Sequence, residues 1–171
     1  MTNLVDLTTQ STAFGIPLIP LLKDSFYGLI GLTAVLIFHG AFINHITMRF
    51  EISTDSFIRA SKYNRVFFRF YLAFLFIALI HVAEIFIWAA YLIKLDLIHD
   101  PIGSLLFAGS CYTTIGFVAD ILPFGWKSLA FFIALSGLFS IAWTTSIMVG
   151  MTNTYKIAWK LKYKYYDPKN S

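Results

Sequence analysis

Charged side chains are scarce in this chain: Asp, Glu, Lys and Arg make up 13% of 171 residues, where soluble domains carry about a quarter. That scarcity excludes an ordinary water-soluble domain, and a hydrophobic fraction of 58% with a mean hydropathy of +0.72 agrees. Cysteine is nearly missing. The lone Cys111 rules out an intramolecular disulfide, and no CxxC pair or Cys/His cluster with zinc spacing occurs. The start of the chain lacks the basic residues and small-residue cleavage site of a signal peptide. Internal repeats and low-complexity tracts are also lacking, so lipid, packing and partners must hold the fold.

What is present is a series of long apolar runs. Residues 1–25 are mixed and broken by Pro17 and Pro20, and read as an interfacial arm; a helix lying in the interface is the alternative. Residues 26–46 contain no Asp, Glu, Lys or Arg and match the length that crosses ~30 Å of hydrocarbon, giving a first transmembrane helix. Residues 47–65 form a basic loop. A second span follows over 66–93, long enough to tilt. Asp100-Pro101 then reads as an N-cap with proline at the first helical position, opening a short helix over 101–112. At about a dozen residues it is too short to cross a bilayer, which makes it a candidate re-entrant helix. The last span covers 126–151, and residues 152–171 are a basic, aromatic tail suited to anionic headgroups rather than to nucleic acid.

Charge placement sets the expected orientation. Arg49, Arg59, Lys62, Arg65, Arg69, Lys156, Lys160, Lys162, Lys164 and Lys169 fall on one side, and only Lys23, Lys94 and Lys127 on the other. The positive-inside pattern puts the loop between the first two spans and the C-terminus in the cytoplasm, and the N-terminus outside. Asp6, Asp24, Asp96, Asp100 and Asp120 gather on the outer face as an acidic mouth. No span shows the repeated arginines of a voltage sensor.

Between the second and third spans lies PIGSLLFAGSCYTTIGFVADILPFGW: a short helix, TTIGF, and an extended return. Irregular backbone at membrane depth is tolerated where it is buried or lines a watery path, and the C-terminal dipole of the short helix favours a cation. Together with the His81-x-x-Glu84-x-x-x-Trp88-x-x-Tyr91 pattern, Leu122-Pro123, Trp126, Gly137 and Trp143-Thr144-Thr145, this order resembles the pore module of potassium channels. More closely, the chain resembles small bacterial ion-channel proteins of the two-transmembrane potassium-channel-like type, with an extra N-terminal span. The likeness covers roughly residues 66–158. It implies an all-α membrane protein with three transmembrane helices, a re-entrant pore helix and a filter loop over 113–120, assembled as a homotetramer in a bacterial inner membrane. The filter would comprise Thr113, Thr114, Ile115, Gly116, Phe117 and Val118, with Asp120 at the outer mouth and Gly137 as a gating hinge. Backbone carbonyls there would replace the hydration shell of potassium or another monovalent cation.

The sequence departs from the family filter, typically TTVGYGD, at its outer end. Val118 takes the place of the second glycine and Ala119 that of the aspartate, unless one extra residue brings Asp120 into that role. A β-branched residue at positive φ is an outlier, so the outer filter is expected to be remodelled and the inner sites near Thr114 and Ile115 better preserved.

Inside the spans, His81 and Glu84 lie three apart on one helical face. An intramembrane carboxylate costs about 2.5–3.5 kcal/mol, so Glu84 is expected protonated or paired with His81 or a polar group of a neighbouring helix. A structural polar latch is the favoured reading; proton sensing and a metal centre with His39 or His45 are the alternatives, and no metal ligand set is assigned. His39 and His45, six apart, do not share a tight face, and His99 reads as a solvated loop residue. Close packing competes with hinge action at Gly137. Thr144, Thr145 and Ser146 are expected to bond back to their own helix, and Cys111 to pack as a small hydrophobe.

Two functions stand side by side. One is a cation pore with a degenerate filter; the other is a non-conducting, channel-derived accessory subunit of a larger membrane complex. No enzyme is expected, because no nucleophile and base pair appears, and no cofactor is expected beyond the permeant ion.

Overall fold

The computed structural model describes residues 12–13, 16–116 and 121–165, with side chains between positions 21 and 164. A two-residue antiparallel pairing of β1 (Thr12–Ala13) with β2 (Ile16–Pro17) precedes four helices: α1 (Leu18–Arg59), α2 (Tyr63–Lys94), α3 (Pro101–Tyr112) and α4 (Leu129–Tyr165). Three of them, α1, α2 and α4, are long and apolar enough to cross a membrane.

Helix α3 has the bounds that its sequence dictates. Both carboxylate oxygens of Asp100 accept backbone N–H groups, Oδ1 from Ile102 at 3.3 Å and Oδ2 from Gly103 at 2.7 Å, and Pro101 fills the first helical position. The other three helices run longer than their apolar runs. Pro20 does not hold off α1, because it falls in the first turn, where the N–H groups have no intrahelical partner anyway. Residues 47–59, expected as loop, continue α1: Phe50 and Thr54 are buried one turn apart and pin the polar stretch as helix. The last helix begins at Leu129 rather than at 126 and continues past 151 to Tyr165, with Ala158 buried and Tyr155 stacked on Trp159. At 1.5 Å per residue, the 42 residues of α1 reach roughly 63 Å, well beyond a hydrocarbon core.

Two helix ends are closed by the same device. Lys62 N–H bonds the Phe57 carbonyl and Ser61 N–H that of Ile58, with Ser61 left-handed at φ 54°. Leu97 N–H bonds Leu92 and Asp96 N–H bonds Ile93, with Asp96 at φ 58°. Both are Schellman closures that occupy the last carbonyls of α1 and α2.

The chain divides into two compact units, residues 1–35 with 85–138, and 36–84 with 139–171. In the first, Trp88, Leu92, Phe107, Tyr112, Leu129 and Ile133 form the core. Trp88 Nε1–H donates to Ser136 Oγ at 2.8 Å, Ser104 Oγ–H to the Ala89 carbonyl at 2.9 Å, and Tyr91 O–H to the Tyr27 carbonyl at 3.0 Å. Asp24, expected in an acidic outer mouth, is instead buried, and its Oδ2 accepts the Ser128 N–H at 2.7 Å. The carboxylate thus sits just before the start of α4, where the helix dipole favours negative charge. In the second unit, Ile43, Phe50, Ala73, Ile77, Ile80 and Met151 form the core.

Gly137 is where α4 meets the end of α3 most closely: a Cβ there would overlap the Tyr112 carbonyl oxygen. At Gly150, on the same helix, a Cβ would meet nothing within 4 Å. Gly137→Ala is therefore expected to lower stability by about 1–3 kcal/mol, and Gly150→Ala to raise it by up to ~1 kcal/mol through helix propensity. Unfolding of the two variants in detergent micelles checks this, and equal effects would contradict the packing described.

Candidate functional site

Two groups of sequence-predicted residues take shape, one in each unit. The first follows α3. Thr113 closes the helix at φ −83°, its N–H donating to the Gly109 carbonyl at 3.0 Å and its hydroxyl to the same oxygen at 2.7 Å. Thr114 is left-handed at φ 60° and donates its N–H to Cys111 O; Gly116 is left-handed at φ 66° and donates to Ser110 O at 3.2 Å. N–H groups of Thr113, Thr114 and Gly116 therefore occupy the last carbonyls of α3. Thr113, Thr114, Ile115 and Gly116 are all exposed, and Ile115 keeps 71% of its surface open. Phe117, Val118, Ala119 and Asp120 lie outside the described residues. Cys111 is partly buried and packed against the core of its unit.

The second group is a buried polar cluster in the other unit. His81 and Glu84, one turn apart on α2, approach to 3.8 Å between Nδ1 and Oε2. The shorter contact of Glu84 is to another helix: its Oε1 lies 2.6 Å from Nδ1 of His39 on α1, and both side chains are 0% exposed. The i,i+3 spacing points only to His81; the dominant partner stands 45 residues away. Thr144 of α4 completes the group. Its Oγ1 lies 3.1 Å from His81 Nε2 and 3.4 Å from His39 Nε2, so it bridges both imidazoles instead of bonding back to its own helix, whereas Thr145 does bond back, to Ile141 O at 2.8 Å. Trp143 covers one side, its ring 5.6 Å from that of His39 and its edge against Gly40.

One set of roles satisfies these contacts with Glu84 ionised. His39 Nδ1–H donates to the carboxylate, Thr144 O–H donates to His39 Nε2, and His81 Nε2–H donates to Thr144 Oγ1. The hydrogen bonds then run one way, from His81 through Thr144 and His39 to Glu84. Nδ1 of His81 faces Glu84 Oε2 across 3.8 Å.

The remaining candidates are apart. His45 is exposed and lines an apolar groove of about 590 Å³ between α1 and α2. His99 is exposed and 3.2 Å from Asp96. Sequence reasoning named His39 beside Glu84 only as a metal-centre alternative, and missed Thr144 as the group between the two imidazoles. The available signal was that a carboxylate within a span requires a partner and few in-span side chains can supply one.

For the His39–Glu84 contact, a double-mutant cycle with His39→Ala and Glu84→Ala is expected to give a coupling of about 1–2 kcal/mol, the upper end for interhelical bonds in membranes. Additivity within ~0.5 kcal/mol would exclude the bond.

Compared with family models, with curated proteins and with solved structures, the chain finds no match.

Proposed function

We propose that the chain is a potassium-channel-like membrane protein whose copies assemble as a homotetramer around a cation pore with a degenerate filter. The supporting observation is the segment after α3: a twelve-residue helix capped at its start by Asp100, then exposed backbone with left-handed residues at Thr114 and Gly116. A helix this short cannot cross a bilayer, so in the proposed arrangement it re-enters from the outer side. Four such loops, each useless alone, would together replace an ion's hydration shell with the carbonyls of Thr114, Ile115 and Gly116 and the Thr114 hydroxyl. The exposure of Ile115 fits a surface that further copies cover.

The proposal places the N-terminus outside a bacterial inner membrane and the C-terminus in the cytoplasm, with the basic end of α4 against anionic lipid. No enzymatic step and no cofactor enters it. Val118, a β-branched residue where the family filter has glycine, favours a second reading: a non-conducting accessory subunit of a larger membrane complex.

Potassium and sodium flux into proteoliposomes, with Val118→Gly run beside the natural chain, separates the two. The natural chain is expected to pass both cations with little preference, and Val118→Gly to raise the potassium-to-sodium ratio about tenfold, equal to ~1.4 kcal/mol. Absence of flux from both, with no tetramer by native mass spectrometry, would overturn the pore.

A further inference from the structure

The His39, His81, Glu84 and Thr144 cluster is not used by the pore reading. Among the described residues, His39, His81 and Glu84 offer ligand atoms that all lie within 4.8 Å of one another. We propose that this cluster is a divalent transition-metal site, of the kind filled by zinc, with His39 Nδ1, His81 Nδ1 and a Glu84 carboxylate oxygen as ligands and Thr144 as the group that orients both imidazoles.

Three features point to a cation rather than to a simple latch. Two neutral imidazoles and one carboxylate form the donor set of many zinc sites that keep a fourth position open. Both Nδ1 atoms face the Glu84 carboxylate while both Nε2 atoms converge on Thr144 Oγ1. A hydroxyl oxygen accepts two N–H bonds, so Thr144 can hold both rings as the Nε2–H form, with both Nδ1 lone pairs turned to one point. This is the second tier that metal-binding histidines ordinarily require, where the non-ligating N–H is tied to an acceptor. Finally, a divalent ion with hydroxide in the open position balances an ionised Glu84, so the occupied group carries no net charge inside a span.

The geometry needs only side-chain rotation. Bonds of about 2.1 Å set tetrahedral ligand atoms roughly 3.4 Å apart. The His39 to Glu84 separation, 2.6 Å across a hydrogen bond, has to open, and the His81 to Glu84 separation of 3.8 Å has to close slightly. His39 stays neutral, its proton passing from Nδ1 to Nε2 as the metal enters; the proton released is that of the water that becomes the bound hydroxide, so binding competes with protons and tightens as pH rises.

The test uses the purified full-length chain, stripped with a chelator and titrated with Co²⁺, read by visible ligand-field absorption, and with Zn²⁺, read by competition against a chromophoric chelator. One ion per chain is expected, with the intense absorption of a four-coordinate site. Thr144→Val is expected to weaken Zn²⁺ binding 10- to 100-fold with stoichiometry kept, and Glu84→Gln to weaken it by more. His45→Ala and His99→Ala are expected to leave it unchanged, and Zn²⁺ to raise the unfolding temperature of the natural chain but not that of Glu84→Gln. Absence of the Co²⁺ band in the natural chain would overturn the site, as would Zn²⁺ affinity unmoved by Thr144→Val. If Glu84→Gln does not fold, those two measurements decide alone. Neither depends on whether the protein conducts ions.

Discussion

Every backbone N–H and C=O that enters hydrocarbon needs a partner within the protein, since lipid offers none. Helix ends, where the ladder of backbone bonds stops, raise the same demand for partners in lipid or out of it. The last carbonyls of α1, α2 and α3 are taken by N–H groups from the residues just beyond, and each end has a left-handed residue that is not glycine: Ser61, Asp96 and Thr114. Each costs about 1–2 kcal/mol that glycine would avoid. At Asp96 a short polar side chain tolerates the conformation well. Thr114 is β-branched, and strain of that kind persists where surrounding structure demands it, commonly at functional positions.

The same demand falls on side chains. Trp88 reaches Ser136, Tyr91 reaches the Tyr27 carbonyl, and Ser104 the Ala89 carbonyl. Glu84 is the hardest case, because hydrogen bonds alone do not cancel its charge. The chain meets it by bringing an imidazole from α1 onto the carboxylate and tying that imidazole, through Thr144 of α4, to a second one on the same helix as Glu84. Three elements distant in sequence are thereby held in one register, which is the best-attested service of a buried polar group.

How much of this was legible in sequence follows from the range of each interaction. The bounds of α3 could be read because its start is a local event, a carboxylate two and three residues from the N–H groups it caps. Three membrane-crossing helices could be read from apolar run length alone. Composition misled at residues 47–59, where Arg49, Glu51 and Asp55 suggest loop; the helix persists because Phe50 and Thr54 are buried. The extension of α4 to Tyr165 was hidden in the same way by its lysines, which alternate with Tyr155 and Trp159 in an aromatic cluster with Phe67. The His81 to Glu84 pairing was visible as an i,i+3 spacing, but the stronger His39 contact spans 45 residues and no local rule reaches it.

A tension remains within the segment that carries the pore proposal. Left-handed φ appears at Thr114 and again at Gly116, whereas Ile115 between them is not left-handed, so left-handed residues alternate along this stretch. Extended by one more period, the alternation would demand a left-handed residue at position 118, where the sequence has valine. In a four-fold ring that demand would cost about 1–2 kcal/mol at each of four copies, roughly 4–8 kcal/mol in all. In the proposed pore, valine at that position therefore argues for fewer filter-type carbonyl sites than a potassium filter has, and so for fewer sites at which to prefer one monovalent cation over another.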